Sequence, residues 1–293
     1  MKNLVSLEDI KADEISSIID LGLGMKKNPG KYATSMKDKT LAMVFQKPSL
    51  RTRVSFEAGM TKMGGHAIYL GVNDIQLGRG ESIEDTARTL TGYVDVIMAR
   101  LFEHSDMEKL ASAAEVPVIN GLTNANHPCQ ILADLMTIKE VKGGLEGLKL
   151  AFLGDGKDNV LVSFINACPK VGMELSVGCP KELSPSVKGE YTLTQDAEEA
   201  VENADVVYTD TWMSMHIPEE EKSKRVEMFK PYQVNEELMS KAKKDAVFMH
   251  CLPAYRGYEV SEGVIDGNQS VVFQEAENRM WSQNAVILKL LSK

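Results

Sequence analysis

Short apolar runs rich in β-branched residues alternate along this chain with longer stretches whose apolar positions recur at helical spacing. In the first half, Leu41–Phe45, Ala67–Gly71, Val96–Leu101 and Val116–Asn120 predict strands, with helical segments between them. The rhythm resumes after Lys142-Gly143-Gly144, with strands expected at Leu148–Leu153, Glu174–Cys179, Val206–Thr209 and Ala246–Met249, and a last one near Ser270–Phe273. Regular alternation of strand and helix builds parallel βαβ units. The expected fold class is therefore α/β, with two doubly wound domains, each a parallel sheet flanked by helices. The glycine pair sets the expected boundary, giving domains of 1–142 and 143–275.

Composition narrows the function. At 293 residues, 43% hydrophobic and 26% charged, the chain fits two globular domains of common size. A net charge of -9 argues against a partner such as nucleic acid, whose phosphates call for a basic face. No run approaches the ~20 apolar residues of a membrane span, and the segment Met1–Ser6 lacks the apolar core of a secretory signal. The expectation is a cytoplasmic protein with no membrane partner. The cysteines at 129, 168, 179 and 251 form no Cys-x-x-Cys pair and are expected as reduced thiols. The histidines at 66, 104, 127, 216 and 250 show no ligand spacing, so no metal is expected. The run Glu219-Glu220-Glu221-Lys222 reads as a solvated loop or helix start.

In open parallel sheets the ligand lies beyond the carboxyl ends of the strands, so chemistry is sought in the residues that follow each strand. After Phe45 comes Gln46-Lys47-Pro48-Ser49-Leu50-Arg51-Thr52-Arg53, leading into the helical run Val54–Met63. Two hydroxyls, the unpaired first N–H groups of a helix and nearby arginines outline an anion site. The same residues also read as a serine cap followed by surface arginines. Arg100 stands at the tip of its strand. Thr123–Gln130 then leads into a helix whose first turn suits Pro128, and His127 and Gln130, three apart, share a face. A capped helix with a structural histidine is the alternative.

In the second half, Gly154-Asp155-Gly156 begins like a dinucleotide fingerprint, but Asn159 occupies the third glycine position. No Gly-Lys-Ser/Thr phosphate loop occurs either, and no cofactor is expected. The segment Asp210-Thr211-Trp212-Met213-Ser214-Met215-His216 offers a carboxylate, hydroxyls and apolar surface, a mixture suited to an amino-acid ligand. Its plainer reading is a turn with a capping Asp and a packed Trp212. His250-Cys251-Leu252-Pro253 closes a strand. Neighbouring side chains on a strand point to opposite faces, which argues against a His–Cys nucleophile pair.

Four of these segments, in order, resemble the aspartate/ornithine carbamoyltransferase family over nearly the whole chain. They are Ser-x-Arg-Thr-Arg at Ser49–Arg53, His-Pro-x-Gln at His127–Gln130, His-Cys-Leu-Pro at His250–Pro253, and the closing Glu275-Ala276-Glu277-Asn278-Arg279. Asp210–Met215 and His250–Pro253 are similar to the members that use ornithine rather than aspartate. The chain departs from them at Leu50, where threonine is common, and at His216, where glycine is usual.

The resemblance implies transfer of the carbamoyl group of carbamoyl phosphate to the side-chain amine of L-ornithine, giving citrulline and phosphate, within arginine biosynthesis. Putrescine or N-acetylornithine as acceptor, or a non-catalytic transcarbamylase-like binding protein, are the alternatives. It implies that 1–142 binds carbamoyl phosphate, with a terminal helix of about 276–293 packed back on it, and that 143–275 binds ornithine. Ser49, Leu50, Arg51 and Thr52 would hold the phosphate with Arg100 and Arg279. Arg100 and His127, with Thr52, would donate to the carbamoyl oxygen, while Gln130 and the Leu252 carbonyl orient the carbamoyl NH2. Cys251 borders the same ligand. Gln76 would reach into a neighbouring subunit's site, implying a homotrimer or a multiple of trimers. Asn159, Asp210, Ser214 and the Met215 backbone would hold ornithine, with Asp210 and Cys251 steering its amine. The implied catalytic set is thus Arg100, His127, Asp210 and Cys251.

Overall fold

Every strand pair in the computed structural model, which describes residues 1–78, 80–213 and 219–292, is parallel, and the strands form two separate sheets. The first sheet has the order β2-β1-β3-β4, from β1 (Thr40–Phe45), β2 (His66–Gly71), β3 (Val96–Arg100) and β4 (Val118–Leu122). Around it in sequence lie α1 (Ala12–Lys27), α2 (Leu50–Lys62), α3 (Ile83–Thr91), α4 (His104–Ala113) and α5 (Pro128–Lys142). The central strand β1 is buried at every position after Thr40, which explains its unbroken apolar run. The edge strand β2 is only partly covered, with His66 and Ile68 exposed and Tyr69 half-buried.

The second sheet runs β7-β6-β5-β8-β9, from β5 (Lys149–Leu153), β6 (Glu174–Gly178), β7 (Thr192–Thr194), β8 (Val206–Thr209) and β9 (Val247–Met249). Its sequence neighbours are α6 (Asn159–Ala167), α7 (Ala197–Val201), α8 (Glu219–Phe229), α9 (Glu236–Met239), α10 (Glu262–Ile265) and α11 (Val272–Leu291). One unit comprises Met1–Met136 with Glu277–Lys293, the other Thr137–Ala276. Each has its own core: Val44, Ile97 and Ala99 with Met107 and Leu110 in the first, Leu153, Val207 and Phe248 with Phe229 in the second. The α/β class with two parallel sheets is thus the architecture the alternating pattern predicts.

One expected strand differs and one strand has no counterpart among those expected. The strand near Ser270–Phe273 is a single bridge between Ser270 and Phe248, after which α11 begins at Val272. Its apolar run divides between uses, Val272 being buried and Phe273 69% exposed. Conversely, β7 has no apolar run to announce it: only Thr194 of its three residues is buried. Among the described residues no helix is long and apolar enough to cross a membrane. Ser214, Met215 and His216 lie outside the described residues.

In both sheets the chain winds outward in two directions, reversing between β1 and β3 and again between β5 and β8. Such reversals open a crevice beyond the strands' carboxyl ends, where doubly wound sheets bind ligands.

Candidate active site

At the first reversal, Phe45 and Arg100 pair across β1 and β3, and the Gln46 N–H donates to the Arg100 carbonyl at 2.9 Å. β4 carries one extra residue here, Gly121, so that Arg100 pairs with Leu122. A Cβ at Gly121 would lie 2.6 Å from Met98 Sδ and 3.2 Å from the Ala99 carbonyl oxygen, so a larger residue would have to displace the Met98 side chain. The bulge thus bends β4 beside the end of β3 that carries Arg100.

Ser49 caps α2, its Oγ accepting from Thr52 N at 3.2 Å and donating to Thr52 Oγ1 at 3.1 Å. Two guanidinium groups converge on that same oxygen, Arg100 Nη1 at 3.4 Å and Arg279 Nη2 at 3.3 Å. Arg279 Nη1 also reaches Gln130 Oε1 at 2.5 Å, and Gln130 Nε2 donates to Asp134 Oδ1 at 2.8 Å. Ser49, Thr52, Arg100, Gln130 and Arg279, chosen from four separated segments, therefore form one network. The serine cap and the anion site are not alternatives, since the cap is what leaves α2's first N–H groups beside the arginines. His127 is buried immediately before α5, which begins at Pro128. Burial, then the charges of Arg279, Arg100 and Arg51, hold its imidazole well below the usual histidine range, so the ring is neutral.

Not every residue of the motif joins in. Arg53 turns away, lying 3.8 Å from the Tyr69 ring centroid and 3.1 Å from Glu57. The Leu50 side chain is 73% exposed, so this position presents its backbone N–H rather than its side chain to the helix start. Gln76 is exposed in the turn Gln76–Gly78, outside the network. Lys47, which no sequence signal singled out, is buried, bonds Asn124 Oδ1 and sits 4.8 Å from the Phe102 ring centroid. Burial, then Arg100, lowers its ammonium to about 8.

At the second reversal, Leu153 and Thr209 pair across β5 and β8, and Thr209 Oγ1 donates to the Leu153 carbonyl at 2.8 Å. The Gly-x-Gly that follows has local causes. Gly154 adopts φ +130°, and a Cβ at Gly156 would lie 2.2 Å from the Leu183 carbonyl oxygen. Asp158 caps α6, accepting from Val160 N at 2.7 Å and Leu161 N at 3.3 Å, and places half-buried Asn159 in the first turn. Burial, then the Asp210 charge, raises the Asp158 carboxyl well above the usual range. An Asp preceding an apolar helix is a cap signal, and Asp158, next to Asn159, carries it here.

Asp210 Oδ1 accepts from Thr211 N at 2.6 Å and from the Cys251 thiol at 3.1 Å. Trp212 is packed on Phe229, with ring centroids 5.6 Å apart, so the plainer reading of this loop also holds. Arg225 ties the two loops of this crevice together, Nε donating to the Trp212 carbonyl at 3.0 Å and Nη2 meeting Asp155 Oδ2 at 2.6 Å. Burial, then Asp210 and Glu275, pushes the Cys251 thiol well above its usual range, so it stays protonated and donates.

Because β9 ends at Met249, His250 and Cys251 do not follow strand alternation. Ligand-type atoms of Asp210, His250 and Cys251 lie within 4.8 Å of one another, closer than opposite faces allow. The ring nitrogens of His250 are nevertheless taken by Leu252 N at 2.8 Å and Glu259 Oε1 at 3.3 Å. A metal ion at this trio would have to displace one of these bonds. The two crevices are thus chemically opposite, one a cluster of donors fit for an anion, the other carboxylates and a neutral thiol fit for an amine.

The chain is similar to known proteins along its whole length. Residues 2–140 match the family model described as aspartate/ornithine carbamoyltransferase, carbamoyl-P binding domain, and residues 146–290 match its Asp/Orn binding domain. The ornithine carbamoyltransferase of Anoxybacillus flavithermus is 50% identical, over 99% of this chain and 96% of that protein. That of Bacillus subtilis is 48% identical, over 100% and 94%. The solved ornithine carbamoyltransferase of Pyrococcus furiosus superposes with a TM-score of 0.93 at 48% identity, covering 98% of this chain and 96% of that one.

Proposed function

Because the chain belongs to the aspartate/ornithine carbamoyltransferase family, we propose that it transfers the carbamoyl group of carbamoyl phosphate to the side-chain amine of L-ornithine, giving citrulline and phosphate. The observation that carries the proposal is the convergence of Arg100 and Arg279 on Thr52 Oγ1 at the capped start of α2. A phosphate dianion calls for such a set, since charge-assisted donors are each worth roughly 1.5–3 kcal/mol and guanidinium forks match its geometry. In this reading the unit of Met1–Met136 with Glu277–Lys293 is the carbamoyl phosphate-binding domain and Thr137–Ala276 the ornithine-binding domain.

Ser49, Thr52 and the N–H groups at Leu50 and Arg51 hold the phosphate with Arg100 and Arg279. The neutral amine attacks the carbamoyl carbon, and Arg100, His127 and Thr52 donate to the oxygen as it gains charge. Gln130 and the Leu252 carbonyl orient the carbamoyl NH2. Collapse of the tetrahedral intermediate expels phosphate, and the amine nitrogen loses its proton. Asn159, Asp210, Ser214 and Met215 bind the amino-acid end of ornithine, with Asp210 and Cys251 aligning the attacking nitrogen. A thiol held protonated is a poor nucleophile, so Cys251 positions the amine rather than forming an acyl-enzyme. With a lysine-like amine pKa near ~10.4, on the order of one ornithine in a thousand is neutral at neutral pH, so turnover climbs as pH rises.

We extend the reading to a cytoplasmic homotrimer of arginine biosynthesis in which Gln76 completes a neighbouring subunit's site. The exposure of Gln76 supports this, as do the exposed apolar side chains Leu50, Val54, Ile68 and Val72 on α2, on β2 and just after it. The deciding experiment is phosphate release with carbamoyl phosphate and, in turn, ornithine, putrescine, N-acetylornithine and aspartate. Citrulline formed with ornithine is the expected result. Turnover only with another amine would overturn the acceptor, and phosphate-site binding without any turnover would favour a binding protein.

A further inference from the structure

Next to Cys251 the second unit buries three ionisable side chains that this mechanism leaves unused: His250, Glu259 and Glu275, none accessible to solvent. The Leu252 N–H donates to His250 Nδ1 at 2.8 Å, so Nδ1 carries the lone pair and the ring proton sits on Nε2. That Nε2–H faces Glu259 Oε1 at 3.3 Å, an oxygen that also accepts from Tyr255 N at 2.5 Å. On the other side, Glu275 Oε2 accepts from the His250 backbone N–H at 3.0 Å, and its Oε1 accepts from Tyr208 Oη at 3.4 Å. His250 is thus gripped at backbone and ring.

What the ring holds is a strained residue. Leu252 has φ +57°, in the left-handed region that a bulky side chain seldom occupies without surroundings that impose it. Cys251 lies between the two held residues, with its thiol on Asp210 Oδ1 at 3.1 Å. Glu259 Oε2 is buried with no hydrogen-bond partner among the described residues, a cost that merely closing a loop would not require.

We infer that His250 is a positioning residue for carbamoyl transfer. Glu259 fixes its Nε2–H tautomer, and the ring in turn holds the Leu252 N–H and the backbone that presents the Cys251 thiol and the Leu252 carbonyl. The inference rests on the proposed ornithine reaction for its kinetic readout only. The arrangement follows the logic by which a carboxylate orients a histidine, but the ring serves a backbone amide instead of a nucleophile.

The test compares Glu259→Ala with Glu259→Gln in the full chain. Glu259→Ala removes the acceptor, and kcat with ornithine falls on the order of 10-fold to 100-fold, the scale of a small misplacement of reacting groups. Inorganic phosphate, held by donors of the other unit, binds as to the wild type. Glu259→Gln keeps an acceptor oxygen and restores most of kcat. A second readout needs no turnover: iodoacetamide labelling of each cysteine, followed by peptide mass spectrometry. Cys251 is half-buried while Cys129, Cys168 and Cys179 are buried, and in Glu259→Ala only Cys251 labels faster. Unchanged kcat and labelling would overturn the inference. So would faster labelling of all four cysteines together, or a Glu259→Gln protein as impaired as Glu259→Ala. If the wild type fails to use ornithine, the proposed reaction falls while the labelling still decides the role of His250.

Discussion

The two sheets share a topology and differ in the charge they collect where their strand order reverses. At β1/β3 the chain gathers Arg51, Arg100 and Arg279 around a capped helix start, and their combined field helps keep His127 neutral. At β5/β8 it gathers Asp155, Asp158, Asp210 and Glu275, and there burial and carboxylate charge raise the Asp158 carboxyl above its usual range and keep the Cys251 thiol protonated. One crevice therefore stabilises negative charge and the other tolerates a cationic amine. The fold supplies the same place twice, and only the side chains decide what each place binds.

The contrast is broken most directly at Arg279. Arg279→Ala removes the donor shared by Thr52 and Gln130, and kcat/KM for carbamoyl phosphate should fall roughly 10- to 100-fold, read by phosphate release. An unchanged value would mean that the cluster is structural. A smaller effect, about 10-fold on kcat/KM for ornithine, is expected from Asp210→Asn. Because the Asp210 charge helps hold the Cys251 thiol up, the same variant should shift the pH at which Cys251 is alkylated downward. If the alkylation profile does not move, the carboxylate is not what holds that proton.

Lys47 sharpens the comparison through pH. Its ammonium is lowered to about 8, so the charge is present below that pH and lost as pH rises through it. Phosphate binding favours the charged form, and above the phosphate's own second ionisation affinity should decline several-fold between about pH 7 and pH 9. That decline opposes the gain from deprotonating ornithine. Lys47→Gln should flatten it in a titration of phosphate affinity, and a decline of the same size in that variant would remove Lys47 from the account. The smallest effect belongs to Arg225→Ala, which unties Trp212 from Asp155. A rise of about three-fold in KM for ornithine, with carbamoyl phosphate unaffected, is the expected outcome for a partly exposed pair.

How much of this could be read from the residues alone depended on range. Runs such as Leu41–Phe45 declare themselves because a strand buried on both faces must be apolar throughout, and Pro128 and Ser49 declare helix starts because capping is a local hydrogen-bonding problem. Local order of this kind was enough for the α/β architecture, and the ordered motifs were enough for the family. Lys47 and Glu259 carried no comparable signal, since a buried charge is recognisable only by the neighbours that surround it. The last expected strand failed for the same reason, as Val271-Val272-Phe273 satisfies strand and helix patterns equally until Ser270 is found bridging Phe248.

Residue types, element order and the motifs at the strand ends were therefore settled by short-range physics written in the chain, and with them the chemistry the protein has to offer. Which of those residues meet was settled by long-range contacts. The end of β3 brings Arg100 to Thr52, the return of α11 brings Arg279 to the same hydroxyl across 227 positions of sequence, and the end of β9 at Met249 frees His250 to hold Leu252. Side-chain convergence and the field each group feels depend on packing in three dimensions, and no sequence spacing encodes that directly.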